Sequence, residues 1–194
     1  MSYVTDHFDE EVVRLLKNGA VGFMPSDTIY GLSCRALDKK AAERIYKLKK
    51  RDKNKPFIVL IADLLQLPKL GINSFPEDLV KNYWPGALTI VFDSSKVPTW
   101  LQLGSASLAV RLPEGTTLRK LIGDIGPIVS TSANLAGGQP AQSVAQAKKY
   151  FGDKLDFYVD TGRLRGKPST VAKFNFDGGI EIIRQGAVKI STRR

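Results

Sequence analysis

The chain has 194 residues, 43% hydrophobic and 25% charged, with a formal net charge of +10. That length suffices for one domain that buries roughly 70% of its unfolded surface, and the lone cysteine, Cys34, and lone histidine, His7, exclude an internal disulfide and any Cys/His zinc cluster. The longest apolar runs are strand-sized rather than the ~20 residues of a membrane span, and the N-terminus has neither signal-peptide nor transit character, so a soluble, reducing compartment, most simply the cytoplasm, is expected, with no membrane partner.

From the N-terminus, residues 7–18 are predicted to form an amphipathic helix, with Asp6 as N-cap, Val12, Val13, Leu15 and Leu16 as the apolar stripe and Gly19 as the stop. Residues 20–24 read as a short buried strand. Asp38 can cap a second helix in which Ala41, Ala42, Ile45 and Leu48 recur at helical spacing. That helix delivers the run KLKKRDKNKP, where six of the nine residues up to Lys55 are cationic and only Asp52 is acidic. A run this dense repels itself, and it reads as a solvated helix end, as a complement to the helix dipole, or as an anion site. Strand 57–61 follows at once.

A third helix is announced by Ser74, Phe75, Pro76 and Glu77, which have the pattern of a capping box with proline in the first turn, and is ended by Trp84, Pro85 and Gly86. Strands are expected at 87–92 and 107–111, the second stopped by Pro113, then a brief helix through Leu118, Leu121 and Ile122 closed by Gly123, then a strand at 127–130. Ser143 and Gln146 make a second capping box, and the chain ends in strands at 157–159, 170–174 and 180–184. Strands alternating with helices, then strands alone, predict an α/β fold with a mixed sheet in one domain spanning residues 1–194.

In open α/β sheets ligands collect beyond the carboxyl ends of strands. Three junctions carry suitable groups: 25–31, with two hydroxyls, a carboxylate and a phenol; 130–138, STSANLAGG, with three hydroxyls and an amide before its glycines; and 160–170, DTGRLRGKPST, a basic, glycine-punctuated loop. Short donors beside glycines let backbone N–H groups approach a phosphate closely. Neither a P-loop nor GxGxxG is present. A Ser/His or Cys/His nucleophile would have to recruit His7, far from these loops in sequence, so a reaction in which bound reactants attack one another suits the inventory better.

PSDTIYGL, KKR followed by KPFIVLI, WPGALT, SLAVRLP, STSANLAG, KPSTV and IIRQG, in that order, resemble the YrdC-like threonylcarbamoyl-AMP synthases over about residues 24–186. The resemblance implies a twisted α/β sheet with flanking helices around a large positively charged cavity. It implies the conversion of L-threonine, bicarbonate and ATP to threonylcarbamoyl-AMP and pyrophosphate, with Mg2+ entering with ATP. Threonylcarbamoyl-transferase proteins acting downstream would then pass the group to the adenosine beside a tRNA anticodon, and tRNA is itself a candidate ligand. By the same resemblance Lys49, Arg51, Ser132 and Asn134 are the catalytic residues. Arg51, Lys55, Ser107, Ser132, Asn134 and Arg184 would contact ATP, and Thr28, Arg111, Ser130 and Ser169 would surround threonine. No residue is assigned to a metal. Arg111 can grip a carboxylate bidentately, and Lys49, Arg51 and Lys55 can neutralise departing pyrophosphate.

This sequence departs from the family pattern in having Ser26 where threonine is usual, which keeps the hydroxyl, and Leu60 where some long members have a histidine near threonine. It resembles the short, single-domain form. The rival from another class is an RNA-binding module or non-catalytic relative that uses the +10 charge to hold a phosphate backbone, although no RNP-like, KH or zinc-knuckle pattern is present.

Overall fold

The computed structural model describes residues 1–50, 57–174 and 179–190. Ten strands form one mixed sheet: β1 (Tyr3–Thr5), β2 (Gly22–Met24), β3 (Gly31–Arg35), β4 (Ile58–Leu60), β5 (Leu88–Asp93), β6 (Ser107–Arg111), β7 (Ile128–Ser132), β8 (Phe157–Val159), β9 (Thr170–Phe174) and β10 (Ile180–Arg184). Their order across the sheet is β1-β8-β2-β3-β7-β4-β6-β5-β9-β10. The helices are α1 (Glu10–Lys17), α2 (Lys39–Lys49), α3 (Glu77–Tyr83), α4 (Thr99–Gln102), α5 (Thr116–Ile125) and α6 (Val144–Phe151). The predicted α/β class and twisted mixed sheet with flanking helices are therefore what the chain adopts.

Alternation along each strand splits the core in two. On one face Leu32, Cys34, Val59, Val110 and Val129 join Ala41, Ala42 and Ile45 of α2 and Ala147 and Phe151 of α6. On the other, Met24, Leu60 and Ile128 pack against Val12 and Leu16 of α1 and Leu118, Leu121, Ile122 and Ile125 of α5. Burying each such side chain stabilises the fold by about 1.5–3 kcal/mol, which holds α1 and α5 over one end of this second face. The register runs Arg111 beside Leu60 and Leu60 beside Ile128, then Ala109 beside Ile58 and Ile58 beside Ser130. Going from Ile128 to Ser132 along β7, the same face therefore turns from apolar to hydroxyl-bearing where the covering helices stop.

Several local expectations shift. The cap of α1 is Asp9, not Asp6: Asp9 Oδ1 accepts the Val12 N–H at 2.9 Å, whereas Asp6 bonds His7. Asp38 caps α2 as expected, accepting from Ala41. The Ser74/Glu77 box does not form, because Pro76 takes the cap position without a side-chain bond and Glu77 faces Lys81. Gly123 does not stop α5, which runs on to Gly126 because Ile125 continues its apolar stripe. In α6, Ser143 accepts from Gln146 N–H, while the Gln146 side chain reaches one residue further back, to Gln142 N–H. Strands β1 and β3 were not expected: β1 is three residues at the sheet edge, and Leu32, Ser33 and Cys34 are buried on both faces and so show no alternation.

Candidate active site

A cavity of about 920 Å³ opens over the hydroxyl-bearing part of this face, within the range of small-molecule sites. Of the residues expected at the site, it brings together Thr28, Lys49, Arg111, Ser130, Ser132, Asn134, Ser169 and Arg184. Arg51 and Lys55 lie outside the described residues. Ser107 is not on the cavity wall: it shares a face of β6 with Arg111, four residues earlier, and its hydroxyl donates to Ser105 Oγ at 3.1 Å. Leu60 is buried against α1 and α5.

Each wall has a local cause. The 25–30 segment joins β2 to β3 and is folded by one hydroxyl: Ser26 Oγ donates to the Ile29 carbonyl at 2.7 Å, lies 3.0 Å from Thr28 Oγ1, and accepts from the N–H groups of Thr28 and Ile29. Tyr30 stacks on Phe23 with centroids 4.4 Å apart and ties down the opposite loop, its hydroxyl donating to Gly162 O and accepting from Thr161 N–H. That loop passes so close over the turn that a Cβ at Gly166 would overlap the Thr28 carbonyl oxygen, so only glycine fits there.

At the β7 end, the chain leaving the strand is gathered around a buried ammonium. Lys49 Nζ donates to the Ser132 carbonyl, to the Asn134 carbonyl at 2.9 Å and to Asn134 Oδ1 at 3.4 Å, and Ser132 Oγ donates to Asn134 Oδ1 at 2.6 Å. Its ammonium is thus engaged with the loop that carries two other candidates, Ser132 and Asn134.

At the β6 end, Arg111 enters a nearly dry ion pair with Asp27, Nη1 to Oδ1 2.6 Å, with side chains only 4% and 10% exposed. Asp27 Oδ2 also accepts the Glu114 N–H at 3.0 Å, so the carboxylate is held from both sides. Nη2 makes a long 3.4 Å contact with Thr28 Oγ1, and Nε has no partner among the described residues. Burial pulls the Arg111 pKa down while Asp27 opposes that fall. Arg184 is lowered first by burial and then by the neighbouring Arg111 charge, and donates to the Ser169 carbonyl at 2.8 Å. Two arginines that face one cavity and raise each other's electrostatic energy make an anion welcome there.

Sequence reasoning did not assign the third wall, where Gln142, Lys149, Tyr150 and Arg163 line the cavity and Arg163 reaches Gln142 Oε1 at 3.2 and 3.3 Å. Arg163 belongs to the 160–170 junction that the sequence marks without singling out this residue, and Lys149 carries no motif of its own. Among the described residues that line the cavity, five are cationic and none is a carboxylate. No group of three or more His, Cys, Asp or Glu suited to a metal occurs among the described residues, and no helix there is long and apolar enough to cross a membrane.

The Sua5/YciO/YrdC family model, described as telomere recombination, matches residues 14–186. The threonylcarbamoyl-AMP synthase of Nitrosococcus oceani is 36% identical over 166 residues, covering 81% of this chain and 88% of that protein. The crystal structure of P. abyssi Sua5 complexed with L-threonine matches with a TM-score of 0.84 and 31% identity over 96% of this chain and 57% of its own, and E. coli YciO matches with the same TM-score and 26% identity over 97% and 98%. The chain thus spans little more than half of the P. abyssi protein and nearly all of YciO.

Proposed function

The chain belongs to the Sua5/YciO/YrdC family, and from that premise we propose that it is a threonylcarbamoyl-AMP synthase, a nucleotidyltransferase that joins L-threonine, bicarbonate and ATP into threonylcarbamoyl-AMP and pyrophosphate. The observation that carries this reading is a cavity with two unlike poles on one sheet face. Arg111, with Thr28, Ser130 and Ser169 around it, offers a site for an amino-acid carboxylate, and the Ser132–Asn134 loop, whose backbone lies about four strand residues or roughly 13 Å along the sheet from the backbone of Arg111, offers donors for a phosphate. That spacing suits a product with the amino acid at one end and the nucleotide at the other.

The chemistry asks little of the protein beyond placement. The threonine amine combines with bicarbonate to give a carbamate and water, and a carbamate oxygen then attacks the α-phosphorus of ATP and displaces pyrophosphate. Nothing on this route requires a protein nucleophile, in keeping with a wall of hydroxyl, amide and cationic groups. Holding the reactants in line contributes through proximity, and the cavity cations oppose the negative charge that develops on the leaving group. MgATP enters as the substrate, its ion held mainly by phosphate oxygens as is usual for magnesium. Downstream threonylcarbamoyl-transferase proteins would carry the group to tRNA.

The test is pyrophosphate release by the purified protein, which should need threonine and bicarbonate together. Equal release from ATP without threonine would overturn the assignment.

A further inference from the structure

Asp27 is a buried carboxylate that the reaction above does not use. It belongs to the turn between β2 and β3, yet it bonds a residue 84 positions away. A guanidinium presents its donors on distinct edges, and Nη1 lies on the side away from the edge shared by Nε and Nη2. Asp27 takes Nη1 at 2.6 Å, and the backbone of Glu114 fixes the carboxylate from behind. What the protein leaves over is the Nε–Nη2 edge, with Nε unpartnered among the described residues and Nη2 touching only Thr28 Oγ1 at a long 3.4 Å. Buried polar groups are nearly always satisfied, so an unpaired donor beside a strong ion pair marks a place prepared for a ligand acceptor.

We propose that Asp27 is a positioning residue for the amino-acid substrate: it anchors one arm of Arg111 so that the Nε–Nη2 edge meets the substrate carboxylate with two parallel hydrogen bonds. This rests on the reading that the cavity takes threonine. The Nε atom and the Nη2–Thr28 contact are both shielded from solvent, so a carboxylate pairs with this edge by displacing the long Thr28 contact. The arrangement also sets the count of negative charge at this pole. One carboxylate comes from the protein and one from the substrate, and a substrate without a carboxylate leaves the edge unpaired.

Alanine at position 27 removes the anchor without touching the nucleotide end. Asp27→Ala should raise the threonine KM by about tenfold or more, the loss expected for one misdirected charge-assisted hydrogen bond, while the ATP KM moves less than about twofold. Asp27→Asn keeps an acceptor for Nη1 but not its charge, and should raise the threonine KM by a smaller factor, about two- to fivefold. A direct readout is the Arg111 Nε–H cross-peak in a nitrogen-15 spectrum, which should move downfield when L-threonine is added to the wild type and respond weakly in Asp27→Ala. If Asp27→Ala does not fold, Asp27→Asn carries the test, with a threonine KM raised more than the ATP KM. Unchanged threonine KM in either folded variant, or threonine and ATP KM values rising together as thermal stability falls, overturns the positioning role. A wild-type protein that neither binds threonine nor releases pyrophosphate with it overturns the reading of the cavity and this role with it; threonine-dependent wild-type activity with no effect at Asp27 overturns this role alone.

Discussion

The two poles of the cavity each contain a cation that is 3% exposed, and they use it in opposite ways. Lys49 spends its ammonium on the carbonyls of Ser132 and Asn134 and so shapes a loop. Arg111 gives one arm to Asp27 and keeps Nε unpaired among the described residues, beside an Nη2 that makes only a long contact with Thr28. Both charges cost free energy to bury, and in each case protein acceptors offset that cost. The difference lies in geometry. An ammonium is a point charge with three rotatable donors that converge on nearby carbonyls, whereas a guanidinium is a rigid plane whose edges can be assigned separately. A buried lysine therefore works as a brace, and a buried arginine can be brace and receptor at once.

The largest effect on this contrast should come from Arg111 itself. Arg111→Ala strands the Asp27 carboxylate in a site where its side chain is 10% exposed, and breaking a buried pair in this way costs about 3–5 kcal/mol, so a marked fall in the thermal midpoint is expected together with loss of threonine-dependent turnover. Arg111→Lys separates the two roles. The ammonium can still meet Asp27, so stability should fall far less, but it cannot form two parallel bonds to a carboxylate. Threonine KM should rise by about 10- to 150-fold, the range for a lost charge-assisted bond, with a much smaller change for ATP. RNA titrations on the same variants test the rival reading. A phosphate contact would survive in lysine, and alanine would reduce the salt slope by about one phosphate's worth. If Arg111→Lys leaves threonine KM unchanged in an active enzyme, Arg111 is a brace as well and the contrast between the poles fails.

A smaller effect, with the opposite signature, is expected at the other pole. Lys49→Met keeps much of the side-chain volume but removes the donor to Ser132 O and Asn134 O; Ser132 O retains the Asn134 N–H at 3.0 Å, and leaving the part-buried Asn134 carbonyl without the ammonium costs about 1 kcal/mol or more. The loop then loosens, so pyrophosphate release at saturating threonine should slow while threonine KM stays near the wild-type value. Thermal unfolding and initial rates measured over a threonine series would show this. A threonine KM that rises as steeply as in Arg111→Lys would mean the two poles are one site.

Much of this was legible in the chain because it is local. The Asp38 cap on α2, the Ser143 cap on α6 and the apolar strands β6 and β7 follow from residues within a few positions of one another. Ordered motifs supplied the candidates, and eight of the eleven expected site residues line one cavity. What could not be read is how the candidates bond each other. The Asp27–Arg111 pair spans 84 positions and the Lys49–Ser132 bond 83, and no periodicity encodes a partner that far away. A weak signal was present: Asp27 is the single carboxylate in a turn of hydroxyls, and a lone acid beside a candidate carboxylate site calls for a cation of its own. For the third wall there was less to see, since the positions of Lys149 and Arg163 on the cavity depend on how α6 and the 160–169 loop close over the sheet.

The smallest effect tests how far the arginine pole depends on its turn. Ser26 Oγ both donates and accepts within residues 26–29, and this folding of the chain delivers Asp27 and Thr28 to Arg111. Only the hydroxyl takes part, so Ser26→Thr, which adds a methyl at a half-buried position, should change threonine KM by less than about twofold and leave folding stability within about ±0.5 kcal/mol. Ser26→Ala deletes the hydroxyl and its bonds, each worth about 0.5–1.5 kcal/mol net. It should therefore lower stability modestly and raise threonine KM a few-fold, because Asp27 and Thr28 lose their common support. The ATP KM should not follow, since no Ser26 bond reaches the Lys49 loop. Parallel shifts for both substrates in Ser26→Ala would show that the turn shapes the whole cavity rather than one pole. A Ser26→Thr variant as impaired as Ser26→Ala would show that the free volume beside Ser26, and not its hydroxyl, is what the arginine pole requires.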